Sequence, residues 1–300
     1  MVPPNGYRWW YLDALSSDAR HGLTIIGFVG SVFSPYYAWA RRRGPADAGN
    51  HCAINVALYG DAGHRWSMTE RGARHVKREG SSFTVGPSRM TWQDGTLVID
   101  IDEVTVPIPG RLRGQVRLTP RRLFAHTEAL DGESQHHWRP VAPLADVEAR
   151  FDSPRIAWRG EGYHDMNWGS VPLEQSFADW TWSRAPTSDG AHVTYDTLRA
   201  DGSRNSFALR FGGTGEVLRQ AIPPLRPLPR GFWRMSRQAH SDSTATLVAT
   251  LEDAPFYARS LVRAEIGGER VTAFHESLSL RKFANPVIQA MLPFRMPRRG

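Results

Sequence analysis

The residues of this chain best suited to chemistry lie between positions 135 and 169. His136 and Trp138 stand two apart in Gln135-His136-His137-Trp138-Arg139-Pro140, and Tyr163 and Asp165 stand two apart in Gly162-Tyr163-His164-Asp165-Met166-Asn167-Trp168-Gly169. Between them they offer a carboxyl that can give up a proton, an imidazole and a phenol that can hold or relay one, and ring faces that shelter positive charge. Acid chemistry on an apolar substrate needs that mixture. Taken singly, each residue has a plainer role: the aromatics as core, Asp165 as the cap of a turn. Taken together they argue for a site, because titratable groups packed among Trp and Tyr are costly to desolvate unless something uses them. On strands, a spacing of two keeps His136 with Trp138 and Tyr163 with Asp165, and turns His137 and His164 away.

Strands are what the rest of the chain provides to position them. From 51 to 60 the pattern alternates, with Cys52, Ile54, Val56 and Leu58 on one face and Asn55 and Tyr59 on the other. Asp94-Gly95 between Thr91-Trp92 and Leu97-Val98-Ile99 predicts a hairpin, and Asp189-Gly190, Asp201-Gly202 and Gly267-Gly268 mark further turns. No stretch of the first half sustains a 3.6-residue apolar period, so helices should be few. Many short strands with Gly turns predict an all-β chain of sandwiches or barrels. One strand set ends and another begins at 169–174, which predicts domains 1–169, carrying both motifs, and 170–300.

Composition narrows the partners. The chain has 300 residues, 41% hydrophobic and 22% charged, so it is globular. Its one cysteine, Cys52, allows no intrachain disulfide and no paired-cysteine metal site, and fits a reducing compartment. The formal charge of +7 suits nucleic acid or an anionic membrane. No nucleic-acid motif is present, so a nucleic-acid partner is not expected. His136, His137, His164 and Asp165 do not have the spacing of a metal site. The opening residues lack the apolar region of a secretory signal. The uncharged run 22–40, followed by Arg41-Arg42-Arg43, has the length of a membrane span. Its three glycines, Ser34-Pro35 and Tyr36-Tyr37 favour instead two buried strands joined by a Ser-Pro turn. Two segments do not read as strands: the Pro/Arg-rich 221–237 with Phe232-Trp233, and the basic tail 280–300 from Phe283 on. Basic residues interleaved with large apolar ones predict contact with a membrane surface.

The chain also resembles the carotenoid 1,2-hydratases (hydroxyneurosporene synthases) of photosynthetic bacteria. The resemblance rests on Arg8-Trp9-Trp10-Tyr11-Leu12-Asp13-Ala14-Leu15, His21-Gly22-Leu23-Thr24, Phe33-Ser34-Pro35-Tyr36-Tyr37 and Asn50-His51-Cys52-Ala53-Ile54-Asn55-Val56. Met68-Thr69-Glu70-Arg71-Gly72, the His136/Trp138 pair and Gly162-Tyr163 with Asp165 continue it in order. It covers nearly the whole chain and is weakest in 221–237 and the tail. It implies two lipocalin-like antiparallel β-barrel domains in tandem and no organic cofactor or metal. The implied activity is addition of water to the terminal C1–C2 double bond of acyclic carotenoids such as neurosporene and lycopene, toward spheroidene or spirilloxanthin. A substrate dissolved in membrane implies a peripheral enzyme on the cytoplasmic side of a bacterial membrane.

Hydration of such an alkene requires protonation at C2, which leaves a tertiary cation at C1 for water to capture. The alkene is a weak base, so the donor must be a neutral acid in apolar surroundings. Asp165 occupies the place of the family's essential acid. His136 can bond that carboxyl, relay its proton or activate the water; Trp138 and Tyr163 can face the cation, or Tyr163 can hold the water. Glu70 is the next carboxylate to consider. The competing readings are a non-catalytic carotenoid or lipid carrier, and a barrel that cyclises or isomerises terpenoids through the same cation.

Overall fold

The computed structural model describes residues 1–61 and 63–299, so Ala62 and the last tail residue, Gly300, lie outside the description that follows. Antiparallel strands dominate, with a few short helical turns. The chain divides into two compact units, one of Met1–Pro172 together with the chain from Gln289 on, the other of Leu173–Ile288.

Unit 1 is a fourteen-stranded sheet. From one edge its order runs Arg298–Arg299, Glu70–Arg71, Cys52–Gly60, His21–Val29, Tyr7–Ser16 and Arg155–Gly169. It continues through His136–Ser153, Arg111–Pro120 and Thr96–Val104 to Val76–Glu79 at the other edge. The predicted Asp94-Gly95 hairpin is present, with Gln93 opposite Thr96 and both turn residues at positive φ. The sheet curls until distant strands touch: Trp10 and Phe83 pack at 5.1 Å between ring centroids. A Cβ on Gly27 would stand 2.7 Å from Met90 Sδ and 3.3 Å from the Phe83 ring, so glycine leaves room for that packing. Leu12, Ile25, Ile54, Val56, Ile99 and Val116 fill the curl and are fully buried, each contributing roughly 1.5–3 kcal/mol.

The all-β class therefore holds, but the expected closure into barrels is not made by strand pairing. Among the described residues each sheet is an open path. The edge strands of unit 1 are too short and polar to carry a seam, and side chains make the contact across the curl instead.

Over 22–40 the expected pair of strands is one strand, His21–Val29, and a short helix, Pro35–Arg41. Gly30, at φ +66°, ends the strand. Ser34 Oγ then accepts the Tyr37 N–H at 3.1 Å with Pro35 in the first turn, so Ser-Pro starts a helix rather than a hairpin turn. No helix among the described residues is long and apolar enough to cross a membrane.

Unit 2 is a seven-stranded antiparallel sheet, centred on Phe177–Thr187 and Glu269–Ser279. A separate two-stranded ribbon pairs Leu225–Leu228, inside the Pro/Arg-rich stretch that the sequence left without strands, with Arg237–His240, which begins at its last residue. Phe283, expected at a docking surface, is instead fully buried against Phe256 at 5.3 Å.

The end of the tail leaves the second unit, where the sequence reading kept all of 170–300 together. From Gln289 it packs with unit 1, and Arg298–Arg299 pairs in parallel with Glu70–Arg71. The reason is electrostatic. Glu70 is buried, and its partners are His51 Nδ1 at 2.8 Å and the Arg298 guanidinium. Arg298 also bonds the Asn50 carbonyl at 3.0 Å. Arg298→Ala should strand the Glu70 charge and destabilise the protein by about 2–3 kcal/mol in urea unfolding, and adding Glu70→Leu should recover much of that loss. A single variant that unfolds at the wild-type midpoint would remove the clasp from the stability argument.

Candidate functional site

The stretch 135–169 folds as one long hairpin, His136–Ser153 against Arg155–Gly169. Tyr7–Ser16 pairs along the other side of Arg155–Gly169, placing Tyr11 opposite Asp165, Asp13 opposite Tyr163 and Tyr7 opposite Gly169. In the hairpin, His136 is opposite Gly169 and Trp138 opposite Asn167. Residues directly opposite share a face, so alternation gathers Tyr7, Trp9, Tyr11 and Asp13 with His136, Trp138, Tyr163 and Asp165. Leu12 and Ala14 point the other way, into the apolar core. Of the eight residues gathered on that face, seven are buried and Trp9 is partly buried.

Two neutral donors converge on Asp165 Oδ2: Trp138 Nε1–H at 2.7 Å and Tyr163 Oη–H at 2.8 Å. A second carboxylate stands on the same face, Asp13, whose Oδ2 accepts the Tyr11 hydroxyl at 2.9 Å. His136 Nδ1 stands 2.9 Å from Tyr7 Oη. Burial, and then the charge of Asp131, hold the Tyr7 phenol well above its ordinary pKa, so it is neutral. Asp131 also accepts the backbone N–H groups of Gln135 and His136, which fixes the entry to the hairpin. A Cβ on Gly169 would stand 2.5 Å from the Tyr7 ring and 2.7 Å from His136 Nδ1, so glycine is what lets those two rings meet. Around the carboxyls the rings form a wall. Tyr7 and Trp9 stack at 4.9 Å, and Tyr11 meets Tyr163 edge-on at 6.2 Å.

All four residues singled out from sequence therefore share one face, and Trp138 and Tyr163 touch the Asp165 carboxyl. His137 and His164 lie on the opposite face, as alternation predicts. His137 stacks on Trp168 at 5.0 Å, and His164 Nδ1 is bonded to the Tyr11 carbonyl at 2.7 Å. Burial lowers the His164 pKa to about 4, so it is a neutral structural donor. Asp165 shares the face with a second carboxylate, Asp13, that the two motifs do not contain. Asp13, Tyr7 and Tyr11 were missed because they enter from a strand about 150 positions away. The alternation of Tyr7, Trp9, Tyr11 and Asp13 within one aromatic string was the available signal. Glu70 belongs to the tail clasp. Among the described residues no group of three His, Cys, Asp or Glu side chains is placed to hold a metal ion.

Comparison with known proteins adds an independent finding. A family model described as carotenoid hydratase CrtC matches residues 25–300. The acyclic carotenoid 1,2-hydratase of Thiocapsa roseopersicina is 52% identical over 302 residues, covering 100% of this chain and 75% of that protein. The enzyme of the same name from Rhodobacter capsulatus is 42% identical over 280 residues, covering 92% and 98%. Among solved structures, a putative AttH from Nitrosomonas europaea superposes with a TM-score of 0.63 over 91% of this chain and 92% of its own. At 15% identity that likeness is one of fold.

The neutral His164 behind the site has a measurable consequence. Its folded pKa of about 4 lies below the unfolded value of 6.5, so the unfolded chain binds the proton more readily. Stability is complete above the unfolded pKa and falls as pH drops from there toward 4, by about 2 kcal/mol at pH 5 from this residue. His164→Gln keeps a donor for the Tyr11 carbonyl and cannot titrate. Its unfolding free energy should fall about 2 kcal/mol less than that of wild type between pH 7 and 5, and identical pH slopes would overturn the assignment.

Proposed function

The chain belongs to the carotenoid hydratase CrtC family, and from that premise we propose that it is a carotenoid 1,2-hydratase that works by proton transfer from Asp165. The reaction is addition of water across the C1–C2 double bond of an acyclic carotenoid such as neurosporene or lycopene, giving the 1-hydroxy product. The observation that carries the mechanism is the convergence of Trp138 and Tyr163 on one oxygen of Asp165.

In the neutral acid, Oδ2 receives both donors and Oδ1 carries the proton. Transfer of that proton to C2 leaves a tertiary cation at C1 and a full negative charge on the carboxylate. Hydrogen bonds to a carboxylate are roughly twice as strong as those to a neutral acceptor, so the two donors tighten as the charge appears, which is stabilisation aimed at the transition state. The ring wall of Tyr7, Trp9, Tyr11, Trp138 and Tyr163 shelters the cation, with a single well-placed ring worth up to about 2 kcal/mol once water is excluded. Water then attacks C1. The proton it sheds returns to the face, where Asp13 and Asp165 are the acceptors, and its return to Asp165 resets the acid. His136, bonded to Tyr7, orients the water or passes that proton. The roles of Glu70, Ser34 and Pro35 are structural in this account.

We read both units as lipocalin-like barrels closed by side-chain packing, and the enzyme as peripheral to a membrane on its cytoplasmic side. A carotenoid end group must leave the bilayer to reach a buried face. Phe232, 85% exposed, and Trp233, 37% exposed, support a docking contact.

Asp165→Asn should keep the fold and lose nearly all hydration. Trp138→Phe and Tyr163→Phe should each cost about 10²-fold in kcat, the usual loss for one preorganised donor. With isotopically labelled water, the oxygen label should enter the 1-hydroxyl and deuterium should enter C2. Wild-type turnover by Asp165→Asn, or an unlabelled hydroxyl, would overturn the mechanism.

A further inference from the structure

Unit 2 contains a cavity of about 490 Å³, within the range of small-ligand sites. Its wall carries Arg204, Arg230, Arg234, Arg281 and Lys282, with only Asp179 and Asp196 to oppose them. Asp196 is already engaged, by Arg204 at 2.5 Å and by His240 at 3.5 Å. Among the described residues, Arg230, Arg234 and Arg281 form no ion pair. Three guanidinium groups thus line a cavity whose one uncommitted carboxylate is Asp179. Arginine in excess around a concave wall fits a phosphate group, which it binds through paired donors.

The rim supplies the second half of the recognition. Arg230 and Arg234 bracket Phe232 and Trp233, which stand exposed and meet edge to face at 5.4 Å. That loop is built rather than slack. The Phe232 N–H donates to Asp253 Oδ2 at 2.5 Å, Lys282 Nζ donates to the Trp233 carbonyl at 3.2 Å, and Arg234 N–H closes back on the Gly231 carbonyl at 3.0 Å. Gly231 permits this, since a Cβ there would stand 2.1 Å from Asp253 Oδ2. Arg234 is held at φ +51°, a conformation few side-chain-bearing residues adopt without reason. A free anion in solution would have no use for an apolar pair fixed beside it. A membrane surface presents both features together, phosphate next to hydrocarbon.

We propose that this cavity holds the phosphate of an anionic phospholipid while Phe232 and Trp233 enter the apolar layer beside it. The proposal rests on the peripheral-membrane reading above and names the group that reading docks against. It also assigns unit 2 a task separate from the chemistry on unit 1.

The test is sedimentation of the full chain with vesicles of phosphatidylcholine alone and of phosphatidylcholine mixed with phosphatidylglycerol. Wild type should favour the mixed vesicles by about tenfold or more. Arg230→Gln/Arg234→Gln/Arg281→Gln should lose that preference. Arg113→Gln/Arg117→Gln/Arg155→Gln, which removes the same charge from exposed positions of unit 1, should retain most of it. Phe232→Ser/Trp233→Ser should weaken binding to both kinds of vesicle. If the cavity and control variants lose affinity equally, diffuse charge explains the attraction and the cavity proposal falls while the membrane reading stands. If wild type ignores both vesicles, the membrane reading fails with it. If inorganic phosphate or glycerol phosphate occupies the cavity without any vesicle binding, the ligand is a soluble phosphate and the lipid assignment is wrong.

Discussion

Burying the Asp165 carboxyl among aromatic rings costs several kcal/mol unless donors reach it, and the strand register of unit 1 follows from that demand. Trp138 Nε1 and Tyr163 Oη answer it at 2.7 and 2.8 Å. Tyr163 does so from the same strand, two positions away. Trp138 must come from the neighbouring strand on the same face, which fixes the pairing of Trp138 with Asn167 and of His136 with Gly169. A slip of one residue between these strands would turn His136 and Trp138 to the apolar side and leave Tyr163 and Asp165 without them. The third strand is bound by the same condition, since Tyr11 and Asp13 join the face only in the register that sets Tyr11 against Asp165.

The middle strands of this sheet are buried on both faces, one side apolar and the other polar and aromatic. A sheet in that position cannot flex without breaking packing on either side, and donors on such a scaffold are held in place before any substrate arrives. The surrounding ion pairs add to that stiffness. Arg71 grips Glu103 through two bonds, at 3.1 and 2.7 Å, and Ser88 adds a third at 2.9 Å. Arg298 does the same service for Glu70 from the far end of the chain. The positive charge of the tail, which reads as membrane attraction in the sequence, is in Arg298's case spent on an internal carboxylate.

Local signals were legible wherever they were sufficient to determine the structure. Alternation along 52–58 and the Asp94-Gly95 turn translate directly into strand faces and a hairpin. The spacing of His136 with Trp138 and Tyr163 with Asp165 likewise gave the shared face. What a local reading could not supply was pairing across distance. Asp13 and Tyr11 look like one end of an aromatic strand until that strand lies beside Arg155–Gly169, and Arg298 looks like a frayed end until Glu70 is seen buried beneath it. Ser34-Pro35 failed for a different reason. Ser-Pro serves both a turn and a helix start, and the residues after it, Tyr36 to Ala40, are too few for a period to decide.

Four buried carboxylates of unit 1 differ in what meets them. Glu103 faces the Arg71 guanidinium, and Glu70 faces Arg298 and His51. A carboxylate neutralised by a guanidinium has no proton to give, and taking one up would strand the cation beside it. Asp165 Oδ2 and Asp13 Oδ2 receive an indole and phenols, which donate without carrying charge. Such donors tolerate the neutral acid and strengthen when it ionises, so the carboxyl can pass between the two states without leaving an unpaired ion in either. Cycling between those states is the requirement that proton delivery to an alkene imposes. Glu70, which sequence alone ranked next after Asp165, is of the guanidinium-paired kind, and Asp13, which sequence alone did not rank, receives a phenol.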